Sequence, residues 1–388
     1  MRLLRTLPAP RLLILIAAVV ALVTAGAVVG VAASTGSGAK PSPKPLADAI
    51  HDALTAPKPA GVTARVTFTN NLLPSGALFG NVGSALLSGA SGRLWLTNDG
   101  RGRIELQSDA GDVQIVWNKT AASVYDASSN TAYKLALPAT KEGNRGTGTP
   151  PTVAQISAFV AKLARNVDVS GADPMSVAGR PAYGASLSPK EIGSLLGSVR
   201  LAWDAQHGVP LSAGVYAKGR SSPALKLSVT HISYGSVTSS NVDVSPPAGA
   251  KVVDLGTLTG KSGRDKAKSK PVTGLDAVRA AAGFDVVAPD KIGGLQRTTT
   301  VLVGGKQVLL VYGEGPGAIV VAQRKADTAQ PRGGLLTALP QVSLGGVTGH
   351  ELTTQLGTLI EWQRGGVTFV LAGSVPSATA EMAARDVR

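Results

Sequence analysis

None of the 388 residues is a cysteine. That absence excludes a disulfide framework, a thiolate metal site, a cysteine nucleophile and a lipid-modified N-terminal cysteine in any compartment. Aromatic residues make up only 4% of the chain, and beside 47 Gly and 24 Pro this scarcity argues for turns and small apolar side chains rather than a helical bundle. The four histidines, His51, His207, His231 and His350, stand singly, with no HxxxH or HExxH spacing that would bring two of them to one metal ion. No GxSxG elbow occurs. The run GTLTGKS at 256–262 has three residues between its glycines where a phosphate-cradling loop needs four, and GEGPG at 313–317 lacks dinucleotide spacing. No catalytic residue, metal or cofactor is therefore expected, and the chain does not read as an enzyme.

Acidic residues are also few, 24 against 38 Lys and Arg, a net charge of +14. Nine of those charges fall in residues 1–45 and 251–271, so the two stretches between and beyond are nearly balanced and no nucleic-acid-binding face is expected. Residues 12–33 are uncharged and mostly apolar, long enough as a helix to cross a bilayer core of about 30 Å. Arg2, Arg5 and Arg11 precede them in residues 1–11, which holds that end in the cytoplasm and places the bulk of the chain outside. Two readings stay open: an uncleaved transmembrane anchor, or a secretory signal cut after Val31-Ala32-Ala33. Gly26 and Gly30 have a GxxxG spacing, but in a segment this rich in Gly and Ala the spacing carries little weight. Residues 34–45 have the composition of a flexible spacer and residues 255–271 that of a basic linker. They delimit a first domain at 46–254 and a second at 272–388.

Periodicity fills in the first domain. Leu46 to Ala56 is an amphipathic helix. Leu94 and Leu96, Ile104 and Leu106, then Val113, Ile115 and Trp117 alternate with polar neighbours at period two, the pattern of a sheet with one apolar face. Asn98-Asp99-Gly100 and Asp109-Ala110-Gly111 supply hairpin turns. From Thr152 to Arg165 the period becomes helical, with Val153, Ile156, Phe159, Val160 and Leu163 on one face and Thr152 and Gln155 at capping-box spacing. Ser188-Pro189-Lys190-Glu191 predicts the start of a second helix. Strands resume with Val199, Leu201 and Trp203, then Leu211 to Tyr216, then Leu225, Leu227 and Val229. Further strands follow linker 255–271, ending in a hairpin at Ile360 to Phe369 and a helix from Pro376 to Val387.

Three short runs carry a resemblance: Gly179-Arg180-Pro181-Ala182-Tyr183, Leu201-Ala202-Trp203-Asp204 ahead of Val209-Pro210-Leu211, and Val244-Ser245-Pro246-Pro247-Ala248-Gly249-Ala250. With this layout, residues 46–254 resemble the LolA-like family of lipoprotein-sorting and lipoprotein-carrier proteins, which includes the first domain of RseB/MucB-type regulators. The resemblance implies an α+β fold: a curved antiparallel half-barrel lidded by helices, here behind an N-terminal transmembrane helix and followed by a second, small α/β domain. It implies a bacterial, actinobacterial, cell-envelope protein that binds a lipid or lipoprotein acyl chain in a hydrophobic cavity, without catalytic residues. The alternative it offers is an envelope-stress regulator contacting an anti-sigma factor. Under the resemblance, the candidate cavity residues are Leu94, Leu96, Ile104, Leu106, Val113, Ile115, Trp117, Ile156, Phe159, Leu201, Trp203, Leu225, Leu227 and Val229. Periodicity alone reads the same residues equally well as the packed core between sheet and helices.

Overall fold

The computed structural model describes residues 40–72, 85–137, 150–190, 193–254, 272–326 and 339–388. The apolar segment 12–33 with its GxxxG pair and the basic linker 255–271, with the run at 256–262, lie outside the described residues. Among the described residues no helix is long and apolar enough to cross a membrane.

The described residues are organised around two sheets. The first holds β1 (Gly61–Asn70), β2 (Ala90–Thr97), β3 (Gly102–Ser108), β4 (Gly111–Trp117), β5 (Ala121–Asp126), β6 (Thr131–Ala136), β7 (Val167–Val169), β8 (Asp173–Val177), β9 (Arg180–Pro189), β10 (Leu196–Asp204), β11 (Pro210–Ala217), β12 (Pro223–Tyr234) and β13 (Lys251–Asp254). Its order is β13-β6-β5-β4-β3-β2-β1-β12-β11-β10-β9-β7, with β8 also on β9; it is an open path, not a closed barrel. Strand β1 is central. A meander of hairpins runs outward from it to β6, the chain crosses to the opposite edge, and β9 to β12 meander back to pair with β1. The crossover carries a helix, and β13 then returns to β6 as a parallel edge strand.

Among the described residues the α-helices are α1 (Leu46–Thr55) and α2 (Val153–Leu163) in this first part, then α3 (Leu275–Ala281) and α4 (Ser377–Asp386); Ala85–Ser88 and Ser239–Val242 form single turns. Helix α2 starts where the sequence predicts it: the Gln155 amide donates to Thr152 Oγ1 at 3.3 Å and the Thr152 amide donates to Gln155 Oε1 at 2.9 Å, a reciprocal capping box. Among the described residues no helix begins at Ser188-Pro189. Those residues finish β9, where Ser188 pairs with Asp168 and Pro189 with Val167, and the Lys190 amide donates to Asn166 O. A local capping signal with a small apolar face behind it loses to long-range strand pairing. The end of the predicted spacer 34–45 is likewise tied down: Ser42 O accepts from Tyr183 Oη at 2.6 Å, and Lys44 bridges to Ala172 and pairs with Asp52.

Alternation places Val62, Ala64, Val66 and Phe68 of β1 on the face that also carries Leu94, Leu96, Ile104, Leu106, Val113, Ile115 and Trp117, and these form one buried cluster with Leu225, Leu227 and Val229 of β12. Each side chain of this size, fully buried, contributes about 1.5–3 kcal/mol.

The second sheet runs β14 (Val272–Thr273), β16 (Leu295–Val303), β17 (Gln307–Tyr312), β18 (Ile319–Lys325), β22 (Val367–Gly373), β21 (Gly357–Arg364), β20 (Thr348–Thr354), β19 (Gln341–Ser343), with β15 (Lys291–Ile292) on β16. Every pair is antiparallel. The small α/β unit expected from the resemblance is thus corrected to a nine-stranded antiparallel sheet with α3 and α4 on one face. The β21–β22 turn has Gly365 and Gly366 at φ +55° and +73°, the two left-handed positions of a type I′ hairpin. Leu310, Val321, Leu371 and Ile360 stand in register on the covered face and pack with Val278 of α3 and Ala380, Ala383 and Ala384 of α4. The two sheets touch: Gln355 Nε2 donates to Asn71 O at 2.7 Å, the Leu195 amide donates to Ser374 O at 2.8 Å, and Leu356 packs into the first core.

Candidate functional site

Helices α1 and α2 pack against each other and lie over β7, β9, β10 and β11. His51 Nδ1, 2.9 Å from Pro151 O, ties the middle of α1 to the approach to α2. Leu46, Ala49, Ile50, Ala53 and Leu54 of α1 recur at helical spacing, and only Ala49 is fully buried; on α2 only Ile156 is. The strands beneath answer in kind, with Ala185, Leu187, Leu201 and Trp203 half-buried. Apolar surface that ordinary packing would bury is left on both sides of a gap. The gap is a cavity of about 510 Å³, within the size range of ligand pockets.

Its lid is Leu46, Ile50 and Leu54 from α1 with Ile156, Phe159, Val160 and Leu163 from α2; its floor is Val169, Ala185, Leu187, Leu201, Trp203 and Ala213. Among the described residues no charged side chain lines it, and Gln155, the most polar of the lining residues, spends its side chain on the α2 cap. Small residues make the room. Gly208 adds a close approach: a Cβ there would sit 2.1 Å from Ala53 O of α1, and its φ of +63° is a left-handed conformation natural to glycine.

The floor is held by a buried polar cluster built from two of the runs that carry the resemblance. Asp204, fully buried at the end of β10, accepts from Arg180 Nε at 2.9 Å, Tyr234 Oη at 2.7 Å, and the amides of Gln206 and His207 at 2.8 and 2.9 Å. Burial pushes its carboxyl up, but the hydrogen bonds from Tyr234, Arg180 and the two amides outweigh burial and hold it below the usual carboxylate range. Tyr234 is driven the other way, above its ordinary value, by burial and by the Asp204 charge. The His207 ring stacks on Tyr234 with centroids 4.0 Å apart. Trp203 stands opposite Tyr183 in the β9–β10 ladder, so the Arg180–Asp204 and Tyr183–Trp203 contacts clamp the same pair of strands. The cluster sets the turn 205–208 under α1. Among the described residues no three His, Cys, Asp or Glu are grouped to hold a metal ion.

No family model matches the chain, and no curated protein matches it. Among solved structures it is similar to MucB in complex with MucA(peri), at 16% identity over 88% of this chain and 96% of that one, with a TM-score of 0.40. The MucA/MucB complex of Pseudomonas aeruginosa gives 15% identity over 87% and 94%, also with a TM-score of 0.40. A domain from Vibrio parahaemolyticus, described as an outer membrane lipoprotein-sorting protein, gives 9% identity over 47% of this chain and 89% of that one, with a TM-score of 0.18. None of these likenesses assigns a function to the chain.

Of the fourteen candidate cavity residues, the structure brings four to the cavity: Ile156, Phe159, Leu201 and Trp203. The other ten, Leu94, Leu96, Ile104, Leu106, Val113, Ile115, Trp117, Leu225, Leu227 and Val229, are buried in the first core. They occupy the same face of the sheet. Leu201 pairs with Ala213, Ala213 with Leu227 and Leu227 with Phe68, and residues paired in an antiparallel ladder share a face. What differs is the cover: the turn Ala85–Ser88, Leu72 and Leu356 pack onto the β1–β4 end, whereas α1 and α2 stand off the β9–β11 end. The sequence reading did not nominate Leu46, Ile50, Ala185 and Leu187. The period-two run Tyr183, Ala185, Leu187 was the signal for the last two.

Proposed function

We propose that this protein binds an acyl chain of a lipid or lipoprotein in the cavity beneath α1 and α2, for local handling of that molecule in the cell envelope, and that it binds its ligand without transforming it. The observation that carries this reading is the uncharged cavity of about 510 Å³ under two helices that leave their apolar faces unburied. Burial of a hydrocarbon chain is worth about 0.8 kcal/mol per methylene and needs no directional partner, which suits a site with no charged side chain among its described lining residues. Anchoring by residues 12–33, with the bulk outside the cytoplasm, belongs to the same proposal. Native mass spectrometry and organic extraction of the purified chain should find acyl species in stoichiometric amount; a reproducibly empty protein sinks the reading.

A second reading, a regulator that contacts an anti-sigma factor, is favoured by the second sheet. Leu309, Val311, Leu359, Val370 and Ala372 lie on the face away from α3 and α4 and are only half-buried, and Val320 beside them is 36% exposed. A photo-crosslinker at Val320 should then capture an anti-sigma factor in membranes. Capture of lipid or nothing there counts against it.

A further inference from the structure

Helix α2 breaks the rule for a surface helix. An amphipathic helix turns an apolar stripe inward and a charged or polar face to water, and α1 does so, with Asp48, His51, Asp52 and Thr55 on its sequence. Helix α2, VAQISAFVAKL, has a single charged residue, Lys162. Beside Gln155, Ser157 and Lys162, its exposed positions are Ala154, Ala158, Phe159 and Ala161, and Phe159 is 65% exposed, the most exposed of the large apolar side chains among the described residues. The side chain is thus shared between the cavity, which it lines, and solvent.

Cations gather at the C-terminal end of the same helix. Lys162 lies three residues from Phe159 and so on the same face. Lys162 and Arg165 are exposed and make no ion pair among the described residues, and Lys190 folds over the end of α2 to donate from Nζ to Ala164 O at 2.6 Å. Among the described residues the acid facing this group is Asp168, 3.6 Å from Lys190 and itself exposed. An apolar projection with positive side chains beside it is the pattern of an element that lies in a membrane interface: the ring enters the headgroup and acyl boundary while the cations meet anionic phosphates.

We infer that the outer face of α2 docks on an anionic phospholipid surface, with Phe159 as the inserted side chain and Lys162 and Arg165 as its electrostatic contacts. Docking in this way sets the cavity rim against the bilayer. The inference stands on the outer face of the helix and does not depend on what fills the cavity.

The absence of cysteine makes the test direct. Phe159→Cys carries a single polarity-sensitive fluorophore on the full chain, reconstituted into vesicles of phosphatidylcholine alone or of phosphatidylcholine with phosphatidylglycerol. Ser91→Cys, exposed on the opposite face of the first sheet, is the reference site. In the anionic vesicles the label at 159 should shift to the blue and brighten about two-fold; the label at 91 should not change. Adding Lys162→Glu and Arg165→Glu, or raising the salt, should return the label at 159 to its phosphatidylcholine signal. Equal signals in the two lipids overturn the inference, whether the label stays polar in both or is apolar in both. So does a shift that survives the charge reversal. A label that stays polar in vesicles but is shielded in native membranes overturns it in favour of a protein partner. Extraction of acyl species from the same preparations tests the cavity separately.

Discussion

Asp204→Ala should lower the unfolding free energy by about 3–5 kcal/mol, the cost of removing one member of a buried ion pair and leaving the rest uncompensated. Four donors converge on that carboxylate, from Arg180, Tyr234 and the amides of Gln206 and His207. Without it the Tyr234 phenol and the amides of the turn lose their acceptor, and the Arg180 guanidinium keeps Gln206 Oε1 but loses its buried anionic partner. Asp204→Asn keeps the shape and one acceptor oxygen but presents an amide to donors, so it should fall between wild type and alanine. The pH dependence separates charge from packing. The folded carboxyl titrates below its unfolded value of about 3.9, so its contribution is complete above about pH 5 and is lost as pH falls through the depressed folded value. The gap between wild type and Asp204→Asn in urea unfolding should therefore be widest near neutrality and narrow steadily in acid. A gap that does not change with pH would show that Asp204 acts through geometry alone. Because the turn it holds carries Gly208 under α1, the alanine variant should also lose whatever the cavity binds.

How far the sequence carried depended on whether a feature is local. The Thr152–Gln155 box and the spacing of Val153, Ile156, Val160 and Leu163 specify α2 from within fourteen residues, and the structure shows that helix in place. The hairpins at Asn98 to Gly100 and at Gly365-Gly366 are equally local. Ser188-Pro189 misled for the same reason: the capping pattern is real as a pattern, but the partner that fixes these two residues in β9, Val167 to Val169, lies about twenty residues away. The site shows the limit most clearly. Leu227 and Leu201 are both apolar, both at period two and both on one face, yet one is packed in the core and the other borders a cavity. The difference is made by what lies above them. The chain crosses the sheet between β6 and β7, bringing α2 over β9 to β11, while Leu356 arrives from the second sheet to help fill the other end. No window of the sequence contains that comparison. The resemblance brought Arg180 and Asp204 into view as parts of two separate short runs, and only the register of β9 against β10 shows that they form one contact.

Two substitutions on this one face should have opposite consequences, and together they test the division between cavity and core. Ala185→Trp places an indole in the floor of the cavity, beside Leu201 in the ladder. The space it takes was open to ligand, so overpacking costs are small and the melting temperature should hold or rise. The displaced chain is another matter. Excluding three or four methylenes removes about 3 kcal/mol of burial, roughly 100-fold in affinity. Acyl species should accordingly vanish from the purified variant. Leu106→Ala does the reverse. Leu106 is buried in the closed end of the face, where truncation leaves a void and costs about 2–5 kcal/mol, but it is remote from α1 and α2. That variant should unfold earlier and still carry ligand when folded. Quantitative extraction beside calorimetry on both proteins gives the readout. If Leu106→Ala empties the protein at temperatures where it is folded, the ligand runs deeper along the face than α1 and α2 reach. If Ala185→Trp retains it, the chain is held elsewhere. The two helices are then ordinary cover, and the half-buried state of Leu46, Ile50, Val160 and Leu163 would have to be explained by a partner rather than by cargo.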